Sequence, residues 1–124
     1  MQRRPMKIIV CGARHYADRQ LLSNTLREYT RKNRVSTIVI GNEPGAETLA
    51  AEWAMQNKVR LTIVPTKRKD FGANAILERN KEIVQRHSDA AAVLHFSGCE
   101  SSEHLCNLAF SHKIAVDDVL GPRD

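Results

Sequence analysis

The chain has 124 residues, 19 of them Lys or Arg and 14 Asp or Glu, for a formal charge of +5. With 42% apolar and 27% charged residues it has the make-up of one globular domain able to bury a core, which excludes a disordered chain. No apolar run is long enough to span a membrane, and Lys7–Cys11 is too short for a signal-peptide core, so a cytoplasmic protein is expected.

Apolar runs and helical patterns alternate along the chain. Lys7–Cys11 reads as a buried strand of β-branched residues stopped by Gly12. Asp18 can cap a helix whose apolar face carries Leu21, Leu22, Leu26 and Tyr29. Ser36–Ile40 is a second strand, stopped by Gly41. Pro44 or Gly45 then opens a helix to about Asn57, with Leu49, Ala50, Trp53 and Ala54 on one side. Arg60–Val64 is a third strand. Residues 73–87 read as a helix with Ile76, Asn80, Ile83 and Val84 at helical spacing, and Ala90–Phe96 as a fourth strand. Ser101 or Ser102 is expected to cap a helix running to about His112, with Leu105, Leu108 and Ala109 inward, before a short last strand at Ile114–Val116. The core is expected over 7–116, with loose ends at 1–5 and 118–124.

Strict alternation of strand and helix predicts an α/β domain: a Rossmann-like, doubly wound parallel sheet of about five strands with helices on both faces. Such sheets bind ligands at the carboxyl ends of their strands, near the switch in strand order. Three loops then matter: Gly12–Tyr16, Gly41–Glu47 and Ser97–Ser102. Two of them feed a helix amino terminus, where small residues let backbone N–H groups meet an anion, and Arg14 adds a fixed cation. Each loop alone is more simply a tight turn; three at one sheet edge favour a site. Neither the dinucleotide fingerprint nor the Walker A pattern is present, which argues against an NAD enzyme or a P-loop NTPase.

Cys11, Cys99 and Cys106 show no disulfide framework and read as free thiols. Cys99-x6-Cys106, with His95, His104 and His112 nearby, is not a standard zinc spacing, so no metal site and no resident cofactor are expected. Mg²⁺ enters only as the companion of a phosphate ligand. Aromatic residues are 5% and do not alternate with the basic ones, so nucleic-acid binding rests on the short basic runs alone.

Four segments together resemble the small YspA-like, cpYpsA-related branch of the SLOG superfamily, which also holds the DprA/Smf proteins and LOG-type phosphoribohydrolases. Lys7-Ile-Ile-Val-Cys-Gly-Ala-Arg-His-Tyr-Ala-Asp18 is similar to that family's start. Gly41-Asn-Glu-Pro-Gly-Ala-Glu-Thr-Leu-Ala-Ala-Glu-Trp-Ala54, Gly72-Ala-Asn-Ala-Ile-Leu-Glu-Arg-Asn-Lys-Glu-Ile83 and Phe96-Ser-Gly-Cys-Glu-Ser-Ser102 follow in the family's order. The resemblance implies a nucleotide or nucleotide-derived ligand at the strand ends. It places Gly12, Arg14 and Tyr16 at the first loop, and Gly41, Gly45, Ala46 and Glu47 at the second; His15, Asn42 and Glu43 of the same loops are further candidate ligand contacts. Arg79 and Asn80 would reach the site from the third main helix, and Gly98, Ser101 and Ser102 would cradle phosphate.

Three departures bear on chemistry. Asn42 and Glu43 replace a small pair, Glu43 being set either to oppose phosphate or to read a ribose hydroxyl. Cys99 and Ser101 replace two glycines of the anion cradle. Leu105 stands where the LOG-type enzymes carry a Glu, and Glu103 points elsewhere on the helix, which weakens hydrolysis and strengthens binding. The leading expectation is therefore a binder that senses, carries or sequesters a small nucleotide, a role some SLOG domains fill in phage-defence signalling. A nucleotide N-glycosidase is the alternative, with Glu47 or Asp18 acting on the ribosyl centre and Arg79 holding phosphate. For Asp18, Glu47 and Glu78 capping or solvation is the simpler role. A DprA-like nucleic-acid module is the third reading. A homodimer or higher oligomer is expected, with Leu49, Trp53 and Phe110 as candidate surface or core residues.

Overall fold

A computed structural model describes residues 5–119. Five strands form one parallel sheet: β1 (Met6–Gly12), β2 (Val35–Ile40), β3 (Arg60–Ile63), β4 (Ala92–Phe96) and β5 (Ala115–Val119), in the order β3-β2-β1-β4-β5. The chain builds outward from β1 to β3, then returns to lay β4 on the other side of β1. The switch point thus falls between β1 and β4, where the doubly wound rule puts ligands.

The alternation of side chains along the central strands divides the core in two. Ile8, Val10, Ile38, Ile40, Leu94 and Phe96 face α1 (Arg19–Lys32) and α2 (Ala46–Gln56), packing with Leu22, Leu26, Ala50 and Trp53. Ile9, Cys11, Val39 and Val93 face α4 (Ala75–Arg86) and α5 (Glu100–Ser111), packing with Ile83, Val84, Leu105 and Ala109. Between β3 and α4 lie a one-turn helix α3 (Arg68–Phe71) and a 3-10 turn (Gly72–Asn74). Asp18 caps α1 as expected, its carboxylate accepting the Leu21 N–H at 3.0 Å, while Arg31 and Lys32 sit favourably at the negative end. No helix among the described residues is long and apolar enough to cross a membrane.

Several expectations are corrected. The third main helix begins at Ala75 rather than Ala73, because Gly72–Asn74 close a tighter turn first. Cys99, not Ser101 or Ser102, is the N-cap of α5; Ser102 sits at the third helical position, where its hydroxyl accepts the Cys99 N–H at 2.9 Å. Asp118 and Val119 belong to β5 rather than to a loose end, being paired with His95 and Phe96. Residues 1–4 and 120–124, the rest of the expected loose ends, lie outside the described residues. Trp53 is core, only 5% exposed, whereas Phe110 is 78% exposed.

Candidate functional site at the carboxyl edge of the sheet

The three loops singled out in the sequence meet, and their glycines explain how. The Ala13 N–H donates to the Ser97 carbonyl at 2.9 Å, joining the first loop to the fourth-strand loop. The Ala46 N–H donates to the Ala13 carbonyl at 3.4 Å, joining the first loop to the start of α2. A Cβ on Gly12 would stand 2.1 Å from the Phe96 carbonyl oxygen and 2.7 Å from Ala46 Cβ. Gly45 has φ +86°, and a Cβ there would stand 2.3 Å from the Ala13 carbonyl oxygen. These two glycines let loop pack on loop. One positive pole is thereby already engaged, since the first amide of α2 is bonded to protein.

The second loop carries two acids with different partners. Glu47 is buried and paired with buried Arg79, whose Nη1 donates to Oε1 at 2.9 Å and Oε2 at 3.2 Å. Arg79 Nη2 donates to Asn80 Oδ1 at 2.8 Å, and Asn80 Nδ2 donates to the Ser101 carbonyl at 2.9 Å. This chain runs from the second loop through α4 to the start of α5. Gly41 makes room for it: a Cβ there would lie 2.1 Å from Arg79 Nη1 and 2.3 Å from Glu47 Oε1. Burial pushes the Glu47 carboxyl up, and Arg79 pulls it back in part. Arg79 Nε is buried with no partner.

Glu43, also buried, holds Arg68 in a two-pronged ion pair at 2.8 and 3.2 Å, accepts the Thr66 hydroxyl at 3.2 Å and has Arg14 Nε at 3.7 Å. The Arg68 guanidinium beside it holds its carboxyl below the usual range. Asn42 Oδ1 accepts the Thr66 N–H at 3.0 Å. The pair that departs from the family pattern therefore ties the second loop to the segment after β3.

A pocket of about 420 Å³ opens beside this frame, lined by Arg14, His15, Ala73, Ile76, Leu77, Cys99, Glu100 and Ser101. One wall is polar, from the first loop and the first turn of α5, and carries Arg14 and Glu100 with opposite charge. The other is apolar, from the 3-10 turn and α4. Cys99 anchors the polar wall: despite its partial burial, the Ser101 and Ser102 hydroxyls and the helix amides hold its thiol below the ordinary value.

A model described as "YAcAr: YspA, cpYpsA-related SLOG family" matches residues 6–71. The chain belongs to this family. The match spans β1 through α3, and so takes in the first two loops and both acids of the second. No curated protein and no solved structure matches the chain.

Against this SLOG frame the residues named from sequence divide into three groups. Arg14, His15 and Ser101 line the pocket. Gly12, Gly41, Asn42, Glu43, Gly45, Ala46, Glu47, Arg79 and Asn80 form the frame behind it. Tyr16 is half-buried on Phe96, with ring centroids 5.7 Å apart; burial first, then Asp18, pushes its hydroxyl up to about 12, and that hydroxyl has no partner. Gly98 lies under the Glu103 carboxylate, and buried Ser102 faces His95 rather than the pocket. The sequence reading did not name Ala73, Leu77 or Glu100 as lining residues, and placed Ile76 only on the helical pattern. Leu77, an apolar residue 38% exposed beside the helix's buried stripe, was the available signal.

Proposed function

We propose that this pocket binds a nucleotide or another phosphorylated ribose, as a sensor, carrier or sequestering protein. The phosphate would lie against Arg14, His15 and the Ser101 hydroxyl at the positive end of α5. The base would lie on Ala73, Ile76 and Leu77. The observation that carries the reading is the division of one pocket into a polar wall, with Arg14 for a phosphate and Glu100 for a hydroxyl, and an apolar wall, which matches a ligand polar at one end and flat and apolar at the other. Family membership supports a nucleotide-related ligand, and a part in phage-defence signalling follows on the same analogy.

Binding is favoured over turnover for a geometric reason. Glu47 and Arg79, the pair expected to act on a ribosyl centre, are engaged with each other and are not among the pocket's lining residues. Leu105, where the LOG-type enzymes carry their acid, is buried at 1% exposure. The carboxylate within reach of a ligand is Glu100.

The test is native mass spectrometry with pooled mononucleotides, cyclic dinucleotides and ADP-ribose derivatives, with the free pool weighed before and after. One component retained intact at one per chain is expected, and Arg14→Ala should weaken it by about tenfold to a hundredfold, as for a charged hydrogen bond. Mg²⁺ dependence of retention would mark the ion as the ligand's companion. Steady loss of one component, abolished in Glu100→Gln, would overturn binding in favour of hydrolysis. Binding to long single strands with a steep salt dependence would overturn it in favour of a nucleic-acid module. The reading includes a cytoplasmic homo-oligomer with exposed Phe110 at its contact; a single-chain mass in solution would remove that part.

A further inference from the structure

A second cluster lies on the opposite side of α5, clear of the pocket. Cys11 and His95 are register partners on β1 and β4, so their side chains leave the sheet on the same face. Cys106, one turn into α5 from Ser102, comes down onto them. The Sγ atoms of Cys11 and Cys106 are 4.0 Å apart, and the two sulfurs and a ring nitrogen of His95 all lie within 4.8 Å of one another. Cys11 is buried beneath the helix, whereas half-buried Cys106 faces a cleft of about 490 Å³ between α5 and β5. One thiol thus meets solvent and the other waits behind it.

His95 is held in a defined orientation. Its Nδ1 is 2.7 Å from Asp118 Oδ1, and its Nε2 is 2.8 Å from Ser102 Oγ. The Ser102 hydroxyl also donates to the Cys99 carbonyl at 3.1 Å and accepts the Cys99 N–H. A doubly protonated ring satisfies all of these contacts, donating to Asp118 on one side and to Ser102 on the other. This puts an imidazolium beside the Cys106 sulfur. We propose that Cys106 is a peroxide-reactive thiolate and Cys11 its resolving thiol, so that a hydroperoxide converts the pair into a disulfide joining α5 to the central strand.

The chemistry balances with the hydroperoxide as the two-electron oxidant. The Cys106 thiolate attacks the terminal peroxide oxygen, the O–O bond breaks, and the alkoxide or hydroxide leaves and takes a proton. Cys106 becomes a sulfenic acid. Cys11, having lost its proton, attacks the sulfenic sulfur and expels hydroxide, which leaves as water. Two thiols and one hydroperoxide give one disulfide, one alcohol (or water) and one water.

The groups facing Cys106 are Cys11, His95 and Asp118, with Glu103 one turn earlier on the same helix at the cleft's rim. The Cys11 thiol and the His95 ring bring the Cys106 thiol down to about 6 against its burial. Interaction with Cys106, aided by Asp118, carries His95 up to about 9 against its own. Cys11, as the donor to Cys106 and fully buried, is raised well above the ordinary thiol value. Attack by the half-buried sulfur at the cleft and resolution by the buried one is the order these environments favour.

The test treats the reduced full chain with hydrogen peroxide and maps the products by mass spectrometry. A mass lower by two hydrogens, with Cys11 and Cys106 in one cross-linked peptide, is expected. Cys11→Ser should stop at a sulfenic acid that dimedone captures on Cys106, and Cys106→Ser should form no disulfide. His95→Gln reads the positioning role: the midpoint of the pH profile for Cys106 alkylation should rise from near 6 towards the ordinary thiol range, with the neutral-pH rate falling at least about tenfold. An unmoved midpoint, capture on Cys99 instead, or a stoichiometric zinc ion that must be stripped before the thiols react would each overturn the proposal.

Discussion

Glu43 in the second loop and Glu47 in the first turn of α2 stand four residues apart, and both are nearly inaccessible, yet they are held by opposite means. Glu47 meets an arginine as buried as itself, inside a chain of donors and acceptors that joins α2, α4 and α5. Glu43 meets Arg68, which is about half exposed and belongs to a one-turn helix. Burial dominates the first acid and a charge partner the second, so their protonation is displaced in opposite directions. The lesson is that a buried carboxylate beside a glycine-rich strand end need not be catalytic. One of these acids braces the frame and the other straps a loop to it.

The largest effect should come from breaking the buried pair on one side. Arg79→Ala leaves Glu47 charged and unpaired in the core, and is expected to cost about 3–5 kcal/mol in a denaturant titration. Gly41→Ala attacks the same pair from the backbone. Its Cβ cannot share space with Arg79 Nη1, so a loss of about 1–3 kcal/mol is expected, the usual range for overpacking. Arg68→Ala should cost clearly less than either, because its guanidinium already sits half in water. Equal midpoint shifts for Arg68→Ala and Arg79→Ala would erase the distinction between brace and strap.

Acid sharpens the contrast further, and the signs follow from linkage. Glu47, raised in the folded state, contributes stability that is full below the ordinary carboxyl value of 4.5 and is lost as pH rises through its folded value. Acidification towards 4.5 should therefore relieve a cost, and Glu47→Gln should remove that relief. Glu43, lowered in the folded state, contributes stability that is present above 4.5 and lost as pH falls through its folded value. Glu43→Gln should flatten the decline below 4.5. Stability curves measured across this range for the two variants would show the change on opposite sides. Smallest of all should be the stability effect of Arg14→Ala, whose side chain is 58% exposed; its expected consequence is lost ligand retention with an unchanged unfolding midpoint.

Much of the frame was legible in the chain. The runs at Lys7–Cys11 and Ser36–Ile40 are β-branched, buried and stopped by glycine, so the strands fell within one or two residues of their observed ends. The cap at Asp18 was equally plain, because its signal is local. The start of α5 was misread because Ser is an ordinary N-cap and Cys is not. Here the Cys99 sulfur accepts from the backbone of Ser102 and the serine answers from the third position. The segment after β3 carries no helical signal in the sequence, since a helix of one turn has no period to detect. The apolar wall of the pocket went unnoticed for a related reason: Leu77 on the helical pattern is one exposed leucine, without meaning until a loop from elsewhere faces it.

The amino-acid sequence by itself determined the α/β alternation, the parallel sheet, the three loops at its carboxyl edge and the family, because strand runs, helical periods and glycine stops are local patterns along the chain. Which of the loop residues line the pocket and which face each other was decided only by tertiary structure. Charge and polarity mark a residue as consequential, but the partner that consumes the charge comes from a distant segment. Arg79 lies 32 residues from Glu47 in the chain, and Cys106 lies 95 from Cys11. Only when the sheet brings such groups within contact does one carboxylate become a brace, and two of the three thiols meet.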